Sequence, residues 1–195
     1  MTSTASAANT TEAKVVNDAR DRRLRWLVFF GLAAVVIVAD QLSKMWIDAN
    51  FAVASPTALS GTAQPTSIID GFVRIAKSYN DGGIFGLFGN SAIVLALAST
   101  VVIALIVVYQ WREGTSGTWL LTIALGLLLG GALGNFIDRI RYEHVIDFVD
   151  MGIGDWRWYT FNVADAAIST SLLILVLLAL FGERLGQRLE QKPVA

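Results

Sequence analysis

Four long, almost uncharged apolar stretches constrain the fold of this chain more than any other feature. They run from Trp26 to about Ile47, within Ile84 to Gln110, from Trp119 to Ile137 and from Ala166 to Gly182. A helix needs about 20 residues to cross the roughly 30 Å hydrocarbon core of a bilayer. Because these stretches are continuously apolar and do not alternate, a transmembrane β-barrel is disfavoured. The sequence therefore predicts four membrane-spanning helices.

The charge and the cysteine content exclude several classes of function. The formal net charge is −1, so no basic field points to a nucleic acid partner. There is no cysteine, which excludes disulfides, thiol catalysis and zinc sites built on thiolates. His144 is the one histidine, so a transition-metal site is disfavoured, whereas a cation held by carboxylates remains compatible with the composition. We expect neither a metal nor another cofactor.

Lysine and arginine are distributed unevenly between the two ends of the four spans. In membrane proteins an excess of these residues marks the cytoplasmic side. Nine lie in the two tails and the loop between spans two and three, against five in the two opposite loops. We therefore predict that both termini are cytoplasmic. The nine are Lys14, Arg20, Arg22, Arg23, Arg25, Arg112, Arg184, Arg188 and Lys192, and the five are Arg74, Lys77, Arg139, Arg141 and Arg157.

The chain divides into one membrane domain and two tails. Residues 1–23 are rich in Ala, Ser and Thr and have no apolar face, so we predict a disordered cytoplasmic tail. Residues 24–182 form a single four-helix domain, and residues 183–195 form a second cytoplasmic tail. The first apolar stretch is too long for the core of a secretory signal peptide, and we expect it to be retained as a helix.

The two loops on the outer side carry strand-like segments. The loop from Asp48 to Gly83 is longer than a simple connector, and its residues 71–76 have the composition of a strand. The loop from Asp138 to Asn162 contains an aromatic segment at 156–161. Trp and Tyr in such a position suit either a strand or anchoring at the lipid headgroups. For most of these aromatic residues we favour anchoring over contact with a substrate.

Polar residues cluster at the outer ends of spans one and three. Asp40 and Lys44 are spaced i, i+4 on one helix face, which favours a structural ion pair. The small residues within 130–135 predict close helix packing. Asp138 and Arg139 follow directly. This cluster suits either the wall of a functional site or a structural network, and the spacing leaves both open.

Asp147 and Asp165 are the candidate reactive pair. Two carboxylates that approach each other can share one proton, so that one acts as an acid and the other as a base. The alternatives are ordinary ones. Asn162 is placed to cap a helix that Asp165 begins, and Asp147 suits a solvated loop. Asp150 and Asp155 are rival partners, so spacing alone leaves the pair undecided.

Five short segments that contain polar residues, given at the end of this paragraph, follow one another along the four predicted spans. Together they resemble lipoprotein signal peptidase, the signal peptidase II family of bacterial intramembrane aspartyl proteases. Each segment alone is a weak indication, but the ordered set is specific. The resemblance covers roughly Arg25 to Leu180. The segments are DQLSK at 40–44, N-x-G-x-x-F from Asn80 to Phe85, GGALGNFIDR at 130–139, HVIDF at 144–148 and FNVAD at 161–165.

The resemblance implies that Asp147 and Asp165 are catalytic. They would activate a water that attacks the peptide carbonyl preceding a diacylglyceryl-modified cysteine. One aspartate acts as the base, and the other, protonated, polarises the carbonyl. The residues that it implies for positioning the substrate are Asn80, Gly82, Asn135, Arg139 and Asn162. Asp40, Lys44 and Asp138 match supporting polar positions, while Asp150 and Asp155 match no catalytic position and are expected to be dispensable.

The resemblance also implies the architecture and the partners. We expect an all-α membrane protein of four transmembrane helices with a small extracytoplasmic β-sheet formed by the outer loops. The expected location is the bacterial cytoplasmic (inner) membrane, with the active site near the outer face. Lipid-modified prolipoproteins would enter laterally with their acyl chains in the lipid. The sequence makes no prediction of the oligomeric state.

Two other classes of function are weighed against the protease. In a small transporter or channel, Asp40, Lys44, Asp138 and Asp165 would form an ion path. Against this, these charges cluster near one face, whereas a path needs polar groups at several depths. A scaffold for envelope assembly without enzymatic activity is the third interpretation.

Overall fold

The computed structural model describes residues 2–54, 64–81, 92–113 and 118–190 of the 195-residue chain. It shows four long apolar helices and a small antiparallel sheet, which confirms the predicted fold class. The elements in chain order are α1 (Thr2–Asn50), β1 (Thr66–Ile69), β2 (Val73–Asn80), α2 (Ala92–Glu113), α3 (Trp119–Tyr142), β3 (Val145–Ile153), β4 (Trp156–Arg157) and α4 (Val163–Glu190).

Helix α3 is the centre of the helical bundle. All four helices contain a segment long and apolar enough to cross a membrane, namely Asn17–Asn50, Ile93–Arg112, Trp119–Tyr142 and Val163–Phe181. In α3, 56% of the most apolar stretch is buried, against 22% or less in the other three helices. The outer helices therefore present most of their apolar side chains to lipid. The core between α1, α2 and α3 consists of Phe29, Ala33, Ile106, Leu125 and Leu129.

Both terminal segments continue the helices beside them. Helix α1 begins at Thr2 and includes residues 2–23, where the composition predicted disorder. Helix α4 continues to Glu190, while its candidate span ends at Phe181, so the domain boundary at residue 182 stays a prediction. Alanine is the best helix former, and extending an existing helix avoids the cost of nucleation. An ion pair of 3.5 Å between Asp21 and Arg25 adds to α1 in its N-terminal half.

Small residues allow the backbone of α3 to approach the backbones of α1 and α4. A Cβ atom on Gly130 would lie 2.9 Å from the carbonyl oxygen of Ala33 in α1. On the opposite side, a Cβ atom on Gly131 would lie 2.5 Å from the carbonyl oxygen of Ala164 in α4. Such close approach is what small residues permit between membrane helices. The packing predicted for this segment is therefore present.

We expect Gly131→Ala to destabilise the protein by about 1–3 kcal/mol, the usual cost of overpacking. The new methyl group would collide with a backbone oxygen at the start of α4, so the helix itself must shift. Gly31→Ala is the matched control, because a Cβ atom there meets nothing within 4 Å and alanine favours the helix. Thermal unfolding in one detergent measures both variants, and equal stability would contradict the close packing.

The four strands form one antiparallel sheet in the order β1-β2-β3-β4. Strand β2 pairs along most of β3, with Ile75 opposite Val149 and Tyr79 opposite Ile146. The register shifts between Ile75 and Ser78, so that Ser78 lies opposite Asp147. The sheet thus places Asp147 beside the end of β2.

The predicted strands are only partly correct. The segment 71–76 lies mostly within β2, but in 156–161 only Trp156–Arg157 form a strand, and Phe161 makes a single bridge to Val149. Strands β1 and β3 were not predicted. Residues 145–148 of β3 are all buried, so both faces of the strand are covered and the sequence shows no alternation of polar and apolar residues.

Candidate active site

The C-terminal ends of α1 and α3, the sheet and the start of α4 meet in one polar network. Gly82, predicted to contact substrate, lies outside the described residues. The other nine predicted site residues are all joined by hydrogen bonds or ion pairs, directly or through one another. They are Asp40, Lys44, Asn80, Asn135, Asp138, Arg139, Asp147, Asn162 and Asp165.

Asp147 is buried in β3, so the alternative of a solvated loop acid is wrong. Asp147 is only 3% exposed to solvent. The side-chain amide of Asn162 donates to its Oδ1 at 2.7 Å, and that of Asn80 donates to its Oδ2 at 3.1 Å. Both carboxylate oxygens therefore accept a hydrogen bond from an asparagine.

Asp165 and Asn162 cap helix α4 reciprocally. The backbone N–H of Asp165 donates to Oδ1 of Asn162 at 2.9 Å, and the backbone N–H of Asn162 donates to Oδ2 of Asp165 at 3.3 Å. This is the geometry of a capping box. The other carboxylate oxygen of Asp165 accepts from Nδ2 of Asn135 at 2.7 Å. The helix-start and active-site interpretations thus describe the same residues.

The surrounding contacts determine which way the two asparagine amides face. Oδ1 of Asn162 is used by the helix cap, so its Nδ2 faces Asp147 and also reaches Oδ1 of Asn135 at 3.2 Å. Oδ1 of Asn135 also accepts from Nζ of Lys44 at 3.1 Å. Nδ2 of Asn135 is therefore left to face Asp165. Each amide presents a donor to one of the two carboxylates.

Lys44 is the centre of the buried charge cluster behind this pair. Its Nζ lies 2.8 Å from Oδ2 of Asp40 and 2.7 Å from Oδ2 of Asp138. With the bond to Asn135, all three donors of the ammonium group are used. Oδ1 of Asp40 accepts the backbone N–H of Ala164 at 2.9 Å, which satisfies a donor in the first turn of α4. The ion pair predicted from the i, i+4 spacing is present.

The rival acids Asp150 and Asp155 lie outside this network. Asp150 is buried and accepts from Nε of Arg157 at 2.8 Å and from Nε of Arg74 at 2.9 Å. Burial acts to raise the pKa of Asp150, but the hydrogen bonds from Arg157 and Arg74 outweigh it, and the pKa is lowered. Asp150 thus joins strands β2, β3 and β4 as a charged anchor. Asp155 is exposed in the turn before β4.

Burial and the neighbouring charge of Asp165 raise the pKa of Asp147 from its usual value near 4 to about 6. The hydrogen bonds from Asn80 and Asn162 and the charge of Lys44 act in the opposite direction but do not cancel the effect. Asp147 therefore exchanges a proton close to neutral pH, as an acid–base catalyst must.

A model of the family described as Signal peptidase (SPase) II matches residues 32–181. The match covers well over half of the chain and includes every residue of the network. The chain belongs to the signal peptidase II family. This confirms the family resemblance of the sequence motifs.

Several relatives in this family are named lipoprotein signal peptidase. The one from Rhizorhabdus wittichii is 41% identical over 156 residues, which cover 77% of this chain and 84% of that relative. The one from Syntrophomonas wolfei is 36% identical over 157 residues, which cover 80% of this chain and 95% of that relative. A solved bacterial membrane enzyme has the same fold, with a TM-score of 0.69 at 23% identity over 86% of this chain and 94% of that one.

One residue of the signal peptidase II network was missed by the sequence analysis. Nε2 of Gln41 lies 2.8 Å from Oδ1 of Asp138 and 3.2 Å from Oδ2 of Asp40. It also donates to the carbonyl oxygen of Gly134 at 3.3 Å. Gln41 could have been found from its position within DQLSK. This segment belongs to the apolar span of α1, where a polar side chain needs hydrogen-bond partners. Gln41 bridges two buried carboxylates and holds α1 against α3.

Several cavities reach the network, and two of them lie beside the residues expected to act on the substrate. A cavity of about 870 Å³ lies between the β3–β4 hairpin and α4, with Asp165 in its wall. A second of about 300 Å³ lies between α2, α3 and Ile168, with Asn135 and Arg139 in its wall. Nε of Arg139 is buried and has no hydrogen-bond acceptor among the described residues. The site thus has room beside the carboxyl group of Asp165 and beside Asn135 and Arg139, together with one donor that no described residue uses.

Proposed function

We propose that this chain is a membrane aspartyl endopeptidase that removes the signal peptide from diacylglyceryl-modified prolipoproteins. It cleaves on the N-terminal side of the lipidated cysteine. The observation that carries the proposal is the geometry around Asp147 and Asp165, whose carboxylates are joined through the amide and backbone of Asn162. Membership of the signal peptidase II family, whose relatives are named for lipoproteins, supports the choice of substrate.

The different surroundings of the two aspartates assign one of them as the acid and the other as the base. Asp147 is buried, and burial together with the neighbouring charge of Asp165 raises its pKa to about 6, so this carboxyl holds a proton up to mildly acidic pH. Asp165 lies in the first turn of α4 and is partly exposed at the cavity wall, where a water molecule has room beside its carboxyl group. Asp165 is then the base that takes a proton from water, and Asp147 donates a hydrogen bond to the substrate carbonyl.

The reaction balances without another reactant. The hydroxide equivalent of the water adds to the peptide carbonyl carbon, and its proton goes to Asp165. The developing oxyanion is stabilised by the proton held on Asp147. The intermediate then collapses, the C–N bond breaks, and the proton on Asp165 passes to the leaving amine. The pair returns to its starting protonation state.

Arg139 and Asn135 are proposed to position the substrate. Nη1 of Arg139 donates to the carbonyl oxygen of Asn135 at 3.3 Å, while its Nε has no acceptor among the described residues. A substrate carbonyl in the cavity between α2, α3 and Ile168 would supply an acceptor for this Nε. Asn80, at the end of β2, is exposed beside Asp147 and is placed to contact substrate on the other side.

We further propose that both termini face the cytoplasm and that the catalytic pair lies near the outer face of the inner membrane. The excess of basic residues in the tails supports this orientation. The network is confined to one end of the bundle, and residues 93–110 of α2 and 166–181 of α4 contain no charged residue. The ion-path interpretation therefore gains no support.

A cleavage assay with the purified full-length chain tests the proposal. The substrate is a diacylglyceryl-modified prolipoprotein, and the control is the same precursor with an unmodified cysteine. We expect cleavage directly before the cysteine in the modified precursor alone. Absence of cleavage would contradict the peptidase assignment, and equal cleavage of both precursors would contradict the role of the lipid.

The activity is expected to depend on pH through Asp147. Below a pH of about 6 the carboxyl of Asp147 holds its proton, and above that pH the proton is lost. Because the mechanism needs one proton on the pair, kcat/KM should fall as the pH rises through an upper apparent pKa of about 6.

Asn80→Ala provides a directional check on this pH profile. Asn80 donates to Oδ2 of Asp147, and this bond lowers the pKa of Asp147. Its removal should therefore move the upper limb of the profile to higher pH. A limb that stays in place in this variant would show that another group limits the rate at high pH.

A further inference from the structure

The free end of the sheet carries large apolar side chains that no described part of the chain covers. We call Ile153, Trp156, Trp158 and Tyr159 the hairpin patch. Trp156 is 90% exposed and Tyr159 is 84% exposed, and the other two are about three-quarters exposed. These residues lie outside the four membrane-spanning segments. Exposed apolar clusters of this kind usually mark an interaction surface.

The length of the α4 span indicates where the hairpin patch lies relative to the hydrocarbon layer. The span of α4 from Val163 to Phe181 has 19 residues. At about 1.5 Å per residue it is roughly 28 Å long, close to the hydrocarbon thickness. Val163 therefore lies near one boundary of the hydrocarbon layer, on the side of the sheet.

The patch stands beside the first two turns of α4. Trp156, Trp158 and Tyr159 line the same cavity as Ser169 and Thr170 of that helix. Thr170 lies seven residues, roughly 10 Å, inside the boundary at Val163. The cavity wall thus connects the aromatic side chains with the lipid-facing surface of α4, where Leu172 and Leu173 are also exposed.

The charges around the patch are compatible with a lipid interface. Arg157, between Trp156 and Trp158, is paired with Asp150 at 2.8 Å and also donates to the carbonyl oxygen of Asp150. Its charge is therefore compensated. Asp155 is exposed in the turn and is free to remain in the hydrated headgroup layer. Trp and Tyr are the residues that favour this layer.

We propose that the hairpin patch inserts into the headgroup layer of the leaflet next to the sheet, with phospholipid as its partner. The lipid would hold the β3–β4 hairpin at a defined height above α4. Because Asp165 lies in the wall of the cavity that the hairpin bounds, this contact also determines the width of the cavity. The proposal concerns lipid contact and does not depend on the peptidase activity.

The absence of cysteine from the chain makes a clean experiment possible. Tyr159→Cys is labelled with the environment-sensitive fluorophore NBD, and the full-length protein is reconstituted into phosphatidylglycerol and phosphatidylethanolamine vesicles. Ser67→Cys is the matched control, since Ser67 is exposed on β1, three strands away from β4. Quenching is measured with lipids spin-labelled near the headgroup and, separately, with aqueous iodide.

We expect NBD at position 159 to emit at shorter wavelength and to be quenched several-fold more strongly by spin-labelled lipid than at position 67. Adding Trp156→Ser and Trp158→Ser should reduce that lipid quenching. Equal iodide quenching at both positions would overturn the proposal. Protection from iodide without quenching by lipid would also overturn it, because it would assign the surface to a protein partner such as a second copy of the chain.

Discussion

Asp147→Asn and Asp165→Asn are each expected to lower the cleavage of a lipid-modified prolipoprotein by roughly 10²–10⁴-fold, the usual contribution of a general acid or base. Asparagine keeps the size of the side chain but can neither accept the proton of the water nor share one with its partner. The measurement is the initial rate of signal peptide release by purified variants. Matched thermal unfolding curves show whether the fold is retained.

The contacts of Asp150 and Asp155 decide which of these two acids is the better control. Asp150→Asn alters a buried carboxylate that pairs with Arg74 and Arg157, so a loss of activity there would report on the sheet. Asp155→Asn changes an exposed carboxylate in a turn and is the better control. It should retain full activity. Activity near that of the unaltered chain in either Asp147→Asn or Asp165→Asn would overturn the aspartyl mechanism.

Lys44→Met is expected to destabilise the protein by about 3–5 kcal/mol, the cost of breaking a buried ion pair. The substitution leaves the buried carboxylates of Asp40 and Asp138 without their cation. It also removes one of the two donors to Oδ1 of Asn135, leaving only Nδ2 of Asn162, and so loosens the amide that faces Asp165. Thermal unfolding and the cleavage rate are measured together.

Two further variants separate these effects. Lys77→Met removes another buried lysine, but its partner Asp48 is half exposed, so a loss of only about 0–1 kcal/mol is expected. Adding Asp40→Asn and Asp138→Asn to Lys44→Met removes the uncompensated charges and should recover much of the stability. Activity should stay low, because Oδ1 of Asn135 is then held by Asn162 alone. Recovery of both together would show that Lys44 acts through stability alone.

The membrane spans and the start of α4 were readable from the sequence because both depend on local chemistry. A helix crosses hydrocarbon when about 20 successive residues are apolar. The first, third and fourth predicted stretches fall within α1, α3 and α4, and α2 covers the second from Ala92 onward. The cap formed by Asn162 and Asp165 is equally local, since it joins residues three positions apart. The small residues near Gly130 also predicted their close contacts.

The strands were harder to predict because the signal for a strand depends on what covers its faces. Strand β3 follows α3 after two residues, and Glu143 turns the chain with a left-handed φ of 64°. Its buried residues Val145–Phe148 include Asp147, which interrupts an otherwise apolar run. Neither an alternating pattern nor a turn motif marks this segment as a strand. The helix at residues 2–23 was also missed, because composition does not report that α1 continues into it.

By itself the sequence determined the number of spans, the helix that begins at Val163 and, through its ordered motifs, the family. Only the tertiary structure decided which acids meet. Asp147 and Asp150 are three residues apart in one strand, yet one faces Asn80 and Asn162 while the other is held by two arginines. The partners of Asp147 come from positions 67 residues before it and 15 after it. Local spacing carries no information about such contacts, because they form only when the sheet packs onto the ends of α3 and α4.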